Sequence, residues 1–241
     1  VKNQGNYADA ERLHQECLEA YRETLGERHP HTLKSLNNLA TTVRNQGNYA
    51  DAERLYRECL EARRKILGEF HPDTLNSLNY VAVALKNQGN YADAERLHRE
   101  CLEGRRVTLG ENHPDTLKSL NNLAATMNDQ GNYADAERLH QQCMEARRKT
   151  LGEAHPETLR SLNNFALALN NQGRYPEAER LHEKCLEVKK KTLGEAHPET
   201  LKSMNNLALA LKNQGRYADA ERLHRECVEK SEKGLGNTHP K

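Results

Sequence analysis

The stretch LNNLA at residues 36–40 decides the fold, because it returns at a fixed interval along the whole chain. It recurs at 120–124, with LNNFA at 162–166, MNNLA at 204–208 and a diverged copy, LNYVA, at 78–82. The dipeptide His-Pro and a glycine keep the same spacing of 42 residues. A fixed period of this length is typical of a repeat array, so we read the 241 residues as tandem repeats rather than as ordinary globular domains.

The overall composition excludes several classes of protein. The chain has 36 basic and 35 acidic residues, a net charge of +1, which excludes a globally basic nucleic-acid binder. A hydrophobic content of 36% and a mean hydropathy of −0.99 are low for a globule, but a stack of repeats tolerates them. No apolar run approaches the length of a membrane span, and no signal peptide is recognised at the N-terminus.

Six cysteines occupy the same place in successive repeats. Equivalent sites in stacked helices lie roughly 10 Å apart, whereas a disulfide needs Cα atoms within about 7 Å. We therefore expect free thiols and a reducing, cytoplasmic location. The cysteines are Cys17, Cys59, Cys101, Cys143, Cys185 and Cys227.

Each repeat predicts two helices and no strand. In the sample repeat 197–238, Pro198 suits the start of the first helix and Gly215 its end. A second helix then runs from Tyr217 towards a Leu-Gly loop, with basic residues near its end as the helix dipole favours. We predict an all-α fold, an α-solenoid of stacked antiparallel helix pairs. We expect residues 1–241 to form one array. It begins with a partial repeat, 1–28, that holds a second helix and the tail of a first. The full repeats are 29–70, 71–112, 113–154, 155–196 and 197–238, and another repeat starts at 239–241.

The turn between the two helices carries a family resemblance. Asn-Gln-Gly-(Asn/Arg)-Tyr followed by Ala, as in Gly47, Tyr49 and Ala52, resembles the core of the tetratricopeptide repeat. The period of 42 residues, LNNLA and the LGExHP loop are similar to the repeats of kinesin light chains and their relatives. The family's tryptophan is replaced by Leu36 and its equivalents, and its proline after the second helix is missing. No coiled coil is present in this sequence, so motor-cargo function does not transfer. The resemblance implies a right-handed superhelix whose concave groove binds peptides.

The first helix of each repeat shows three stripes at helical spacing. An apolar stripe, such as Leu36 and Leu39, predicts packing against the partner helix. A small stripe, Ser35, Asn38 and Thr42, predicts close approach of a neighbouring repeat, and we expect Asn38 to face the next one. The resemblance implies that the third stripe, here named the groove stripe, lines the concave groove.

Four places make up the groove stripe in each repeat. The first place holds Lys34, Asn76, Lys118, Arg160 and Lys202. The second holds Asn37, Asn79, Asn121, Asn163 and Asn205. The third holds Thr41, Val83, Ala125, Leu167 and Leu209. The fourth holds Arg44, Lys86, Asn128, Asn170 and Lys212.

The chemistry of the groove stripe favours a peptide ligand. Seven of its twenty side chains are cationic and none is acidic, with Asp129 the one acid close by. A side-chain amide can donate to and accept from any peptide backbone, and cations attract carboxylates. We predict an interaction scaffold for an extended, acidic protein segment, read by a row of first asparagines. An idle solvated face is the alternative, since repetition copies useful and idle residues alike. The second asparagine is interpreted as structural.

Other functions have weaker support. His and Cys at i, i+3, as in His98 and Cys101, suit a metal, but Tyr56 replaces the His once and two ligands are too few. Since every catalytic candidate is repeated, we expect no enzyme, and no cofactor or metal. Nucleic acid is disfavoured because the segments offer little aromatic stacking. A structural spacer, with end-to-end self-association or as an engineered array, remains the rival hypothesis.

Overall fold

The computed structural model describes the backbone of residues 2–236 and the side chains of residues 7–232. Within that part, the chain forms eleven α-helices and no strand, which confirms the all-α class. The helices are α1 (Lys2–Leu25), α2 (Pro30–Asn45), α3 (Tyr49–Leu67), α4 (Pro72–Asn87), α5 (Tyr91–Leu109), α6 (Pro114–Asp129), α7 (Tyr133–Leu151), α8 (Pro156–Asn171), α9 (Tyr175–Leu193), α10 (Pro198–Asn213) and α11 (Tyr217–Gly236).

His-Pro starts each first helix through a specific cap. The Nδ1 atom of His71 accepts a hydrogen bond from the backbone N–H of Asp73 at 3.1 Å, and Pro72 fills the first helical position. This cap satisfies a backbone donor that the helix cannot pair internally, and proline needs no such partner. The predicted structural role of His-Pro is therefore confirmed, and the same cap is formed by His29, His113, His155 and His197.

Glycine ends each first helix. Gly47 has φ +91°, a left-handed conformation that side chains with a Cβ rarely adopt. Its N–H donates to the carbonyl of Arg44 at 3.0 Å, and Asn48 N–H donates back to Val43 at 3.2 Å. Such bonds close the last turn of a packed helix. Helix α1 differs, because it continues through Gly5, where the sequence indicated the tail of a preceding helix.

The chain divides into two compact units, residues 1–130 and residues 131–241, which are described separately. The first unit contains α1–α6 and the second α7–α11, and within each unit every helix packs against the next along the chain. In α2 the apolar stripe is buried, as the sequence predicted. Burial of this stripe is the main stabilising contribution, since each helix pair is covered only by its neighbours.

Cysteine and serine form the tight contact between successive repeats. The Sγ atom of Cys59 lies 3.6 Å from the Oγ of Ser77 in the following repeat and 3.5 Å from the carbonyl oxygen of Leu33. All six cysteines are free thiols, and Cys59 is fully buried. The cysteine thus acts as a small core residue, as free Cys commonly does. Equivalent pairs are Cys101–Ser119, Cys143–Ser161 and Cys185–Ser203.

A buried cation joins the ends of the second helices α3, α5, α7 and α9 to the next first helix. Arg105 is 2% exposed, and its Nη1 donates to the carbonyl of Asp115 at 3.0 Å and to Ser119 Oγ at 2.8 Å. A buried cation needs such partners to compensate for its lost hydration. From the sequence, the basic residues at this helix end were attributed to the helix dipole alone. The structure shows that Arg105 also bonds to the next first helix. Arg63 and Arg147 make both equivalent contacts, and Lys189 makes the contact to the carbonyl, that of Glu199.

Candidate functional site

The groove stripe lies on an accessible face of the first helices. Its first-place cations Lys118 and Lys202 are exposed, and its third-place leucines Leu167 and Leu209 remain 39% and 42% exposed. An exposed leucine beside exposed cations is a surface that can contact a ligand through both apolar and charged groups. The structure thus presents these members of the groove stripe to solvent, whereas its members Asn79 and Asn170 are buried.

The two asparagines of successive repeats bond to each other. Asn122 Nδ2 donates to the Oδ1 of Asn79 at 2.8 Å, and Asn206 Nδ2 donates to the Oδ1 of Asn163 at 2.6 Å. In both pairs the second asparagine reaches back to the preceding repeat. The structural interpretation of the second asparagine is confirmed for these two pairs. The expectation that it faces the next repeat is wrong, because the offset between stacked first helices places it against the preceding one.

This pairing limits what the first asparagines can offer a ligand. Asn79 is 5% exposed, and its carbonyl oxygen already accepts from Asn122. Asn163 remains half-buried with its carbonyl similarly occupied. Its NH₂ group is the part that can still serve a ligand, because a primary amide carries two further donors. At the last repeat Asn205 is exposed, with its Oδ1 3.2 Å from His224 Nδ1.

At the junction that contains the diverged segment LNYVA, three residues differ from their equivalents in the other repeats. Tyr80 stands where other repeats have the second asparagine, and it stacks on Tyr56 with ring centroids 5.3 Å apart. Tyr56 itself replaces the usual histidine, and its OH lies 2.9 Å from the Oγ1 of Thr41. Without a donor from Tyr80, the Oδ1 of Asn37 is buried and has no partner among the described residues. Thr41 is the third difference, since the other repeats have Val, Ala or Leu at its place, and the three side chains form one contact set.

The cations of the groove stripe differ in their partners. Lys86 forms an ion pair with Asp129 at 2.9 Å, and Arg160 pairs with Glu157 at 2.5 Å. Asn76 accepts a hydrogen bond from the buried Arg105 at 2.6 Å instead of presenting a cation. The remaining five cations have no carboxylate partner within residues 7–232, so their charge is available to a ligand. They are Lys34, Arg44, Lys118, Lys202 and Lys212.

A cavity of about 370 Å³ opens between α8 and α10 in the second compact unit. Arg160 and Asn163 line it from α8, and Lys202 and Asn206 line it from α10. The end of α9 adds Lys189. First-place cations and paired amides from two successive repeats therefore converge on one hollow, which is large enough for a side chain or a chain terminus.

Two acidic residues in this cavity are held by protein cations. Lys189 Nζ lies 3.2 Å from the Oε2 of Glu199, and this hydrogen bond lowers the pKa of the Glu199 carboxyl. Glu157 pairs with both Arg147 and Arg160. Lys202 has no ion pair within the described residues and faces the hollow. A carboxylate ligand would meet Lys202 first, with the guanidinium of Arg160 shared with Glu157.

The His and Cys faces of α5, α7 and α9 are part of the core. His98 is fully buried, and burial, with Lys86 and Arg105 adding to it, lowers its pKa to about 4. Burial likewise lowers the pKa of His140 and His182 to about 4 and raises the pKa of Cys101. Histidines in this state are neutral at pH 7. Among residues 7–232, no group of three or more His, Cys, Asp or Glu is placed to hold a metal ion.

The sequence did not identify several residues of this site. Lys189, Glu157 and Glu199 line the cavity, but they come from the end of a second helix and from helix starts, outside the groove stripe. A signal was present in the repeats, since an acid follows His-Pro in four of them and a cation stands ten residues earlier. These pairs cross a repeat boundary, which the spacing within one repeat does not indicate.

The stacked helix pairs and the accessible first-helix faces define a helical repeat protein of the interaction-scaffold class. The model of the tetratricopeptide repeat family matches residues 2–65, 36–106, 73–149, 115–190 and 157–233. The chain therefore belongs to the tetratricopeptide repeat family. Proteins of this family mediate protein–protein interactions and are typically not enzymes.

Solved structures agree with this assignment. A Podosopora anserina protein described as a kinesin light chain with nearly identical TPR-like repeats is 29% identical, with a TM-score of 0.74, over 86% of this chain and 98% of that one. A point variant of that protein is 28% identical, with a TM-score of 0.76, over 84% and 96%. BtubC (BKLC) from P. vanneervenii, at 18% identity and a TM-score of 0.78 over 98% and 94%, shares the fold.

No curated protein matches the chain. Among the helices in residues 2–236, none combines the length and apolar character that crossing a membrane requires.

Proposed function

We propose that this protein is an interaction scaffold that binds an extended, acidic segment of a partner protein along the groove stripe. The observation that carries the proposal is the cavity between α8 and α10, where Arg160, Lys202 and the Asn163–Asn206 pair converge. Arg can grip a carboxylate through two parallel hydrogen bonds, and Lys adds a point charge. A Glu or Asp side chain, or a chain terminus, of the partner would bind Lys202 in this cavity and share the guanidinium of Arg160 with Glu157.

The rest of the groove stripe suits an extended chain. Lys34, Arg44 and Lys118 supply unpaired cations within the first compact unit, and Leu167 and Leu209 supply apolar contacts within the second. Spaced cations attract acidic residues at intervals along a peptide, and exposed leucines contact the side chains between them. The amide row takes a smaller part than the sequence suggested, because Asn79 and Asn163 already bond within the protein. The core thiols suit a reducing, cytoplasmic setting.

A peptide titration tests this function. The probe is a fluorescein-labelled Gly-Ser peptide with evenly spaced Glu residues, and matched peptides carry Gln or Lys instead. Fluorescence anisotropy at low and at raised salt measures Kd, since salt screens exposed charge pairs. We expect the Glu peptide to bind, the Lys peptide not to bind, and binding to weaken with salt. Equal binding of the Glu and Lys peptides would overturn the proposal.

A matched pair of variants locates the site. The double variant R160A/K202A removes the cavity cations, and we expect Kd for the Glu peptide to rise at least about tenfold. The control R180A/K149A removes two exposed cations from second helices, so the net charge changes equally. The control variant is expected to bind as the wild type does. Equal loss in both double variants would show that net charge, rather than the cavity, attracts the peptide.

Self-association is a second candidate function. Helix α11 exposes an apolar face, where Tyr217 is 68% and Val228 57% exposed around a hollow of about 620 Å³. Exposed apolar patches of this kind commonly mark interaction sites. A second copy of the chain is the occupant proposed for this function. Sedimentation velocity over a range of concentrations should show concentration-dependent association that Y217S/V228S removes, and a monomer at all concentrations would exclude it.

A further inference from the structure

One cation of the groove stripe, Lys86, is occupied by a carboxylate of the protein itself. Lys86, in the last turn of α4, donates from Nζ to the Oδ2 of Asp129, the last residue of α6, at 2.9 Å. The side chains are 24% and 40% exposed, so the pair lies at the surface and can be reached by a ligand. Both residues belong to the first compact unit. Asp129 has no other hydrogen bond or ion pair from its side chain within residues 7–232.

Asp129 is an exception among the repeats. The equivalent position holds asparagine in each of the others: Asn45, Asn87, Asn171 and Asn213. Asparagine fits the place, since Asn213 Nδ2 donates to Asn170 Oδ1 at 3.2 Å across the same interval of 43 residues. An acid at the C-terminal end of a helix also opposes the helix dipole. Neither packing nor helix stability therefore accounts for the aspartate.

We propose that Asp129 is a specificity-determining residue that competes with the partner's carboxylates for Lys86. This inference rests on the proposed function of the groove stripe. With Asp129 in place, a ligand carboxylate at Lys86 must displace the internal ion pair and approach a like charge. The acidic residues of the ligand are thereby directed to Lys34, Arg44 and Lys118, which have no carboxylate partner among the described residues of this unit.

The variant D129N tests the proposal with the residue that the other repeats carry. The probe is the Glu-containing Gly-Ser peptide, with the Gln peptide as its neutral match. Because an exposed ion pair contributes up to about 1 kcal/mol, we expect D129N to lower Kd for the Glu peptide by about three- to fivefold. The Gln peptide should show no change. The gain should shrink at high salt, as both the pair and the ligand contact are screened.

Two further variants show whether the gain depends on Lys86. In the D129N background, K86A should abolish the gain, whereas K86A alone should change Kd by less than about twofold because Lys86 is already occupied. The reciprocal variant N87D places an acid at the same interval from Arg44, and it should weaken binding of the Glu peptide. Circular dichroism melting of each variant checks that all of them fold.

The outcomes are distinguishable. Binding of the Glu peptide by the wild type, with no gain in D129N, would overturn the role of Asp129 and leave the proposed function standing. A gain that persists without Lys86, or that extends equally to the Gln peptide, would also overturn it. If neither the wild type nor D129N binds the Glu peptide, the proposed function fails and this inference fails with it.

Discussion

Asn122 donates its side-chain amide to the carbonyl oxygen of Asn79 across the junction of two repeats, at 2.8 Å. The two residues occupy different places in LNNLA, and the bond links the second asparagine of one repeat to the first of the preceding one. Polar residues in an apolar helical pattern are therefore explained first by the stacking of repeats. In the proposed function, ligand contacts are made by the cations, the exposed leucines and the remaining amide donors.

Removal of the donor should destabilise the protein. The variant N122A removes the donor to the side-chain carbonyl of Asn79, a residue that is 5% exposed, so this acceptor loses its partner from α6. An unsatisfied buried acceptor costs about 1–3 kcal/mol, so we expect the free energy of unfolding in urea to fall by that amount. N38A is the matched control, because Asn38 is exposed and its side chain has no hydrogen bond among the described residues. Its change should stay within about 0.5 kcal/mol, and equal losses would contradict the account.

The tyrosine junction should behave as a coupled pair. Y56H removes both the stack on Tyr80 and the bond to Thr41, and Y80N removes the stack but supplies a donor near Asn37. The double variant recreates the His and Asn of other repeats. A double-mutant cycle from urea unfolding should give a coupling energy of about 0.5–1.5 kcal/mol. Additive single effects would show that the two tyrosines act independently.

The buried cation at the repeat junction should tolerate lysine but not alanine. Arg147 is 2% exposed and donates to the Glu157 carbonyl and to Ser161. Lys189 fills the equivalent place and makes the corresponding carbonyl contact. We expect R147A to lower the free energy of unfolding by about 3 kcal/mol and R147K by less than half of that. Thermal and urea unfolding measure both, and a loss in R147K equal to that in R147A would argue against the hydrogen-bonding role.

Stability should fall as the solution is acidified below pH 6.5. His98, His140 and His182 have pKa values of about 4 in the folded state against 6.5 when unfolded. Between these values the unfolded chain binds protons that the folded chain does not, so the free energy of unfolding decreases as pH falls from 6.5 towards 4. Urea unfolding at several pH values measures the slope.

Two histidine variants separate this effect from other acid effects. H140F removes one buried histidine and should make the pH dependence shallower. H224F is the control for the substitution itself, because His224 is exposed. An unchanged slope in H140F would show that the buried histidines do not control acid stability.

The fold could be predicted from local signals that repeat at a fixed period. His71-Pro72 and Gly47 each act within one helix end, through contacts to residues two to five positions away, so sequence alone located these boundaries. Free thiols were predicted from the spacing of the six cysteines, because equivalent positions on stacked helices lie too far apart for a disulfide.

The site was predicted less completely, because its contacts join different repeats. The Asn79–Asn122 and Lys86–Asp129 pairs span 43 residues, one more than the repeat, and that extra residue depends on how the first helices are offset when they stack. Helical spacing within one repeat cannot supply the offset. The direction of the second asparagine was therefore predicted wrongly, and the lining role of Lys189 was missed.

The most direct measurement is a two-dimensional NMR titration of asparagine-labelled protein with the Glu peptide. It follows the side-chain amide signals of Asn163 and Asn206, assigned by substitution, with Asn132 on the turn before α7 as a reference. If the peptide binds in the cavity, the side-chain amide signals of Asn163 and Asn206 shift saturably and the signal of Asn132 does not. Saturable binding that leaves both cavity asparagines unshifted would contradict the proposed site.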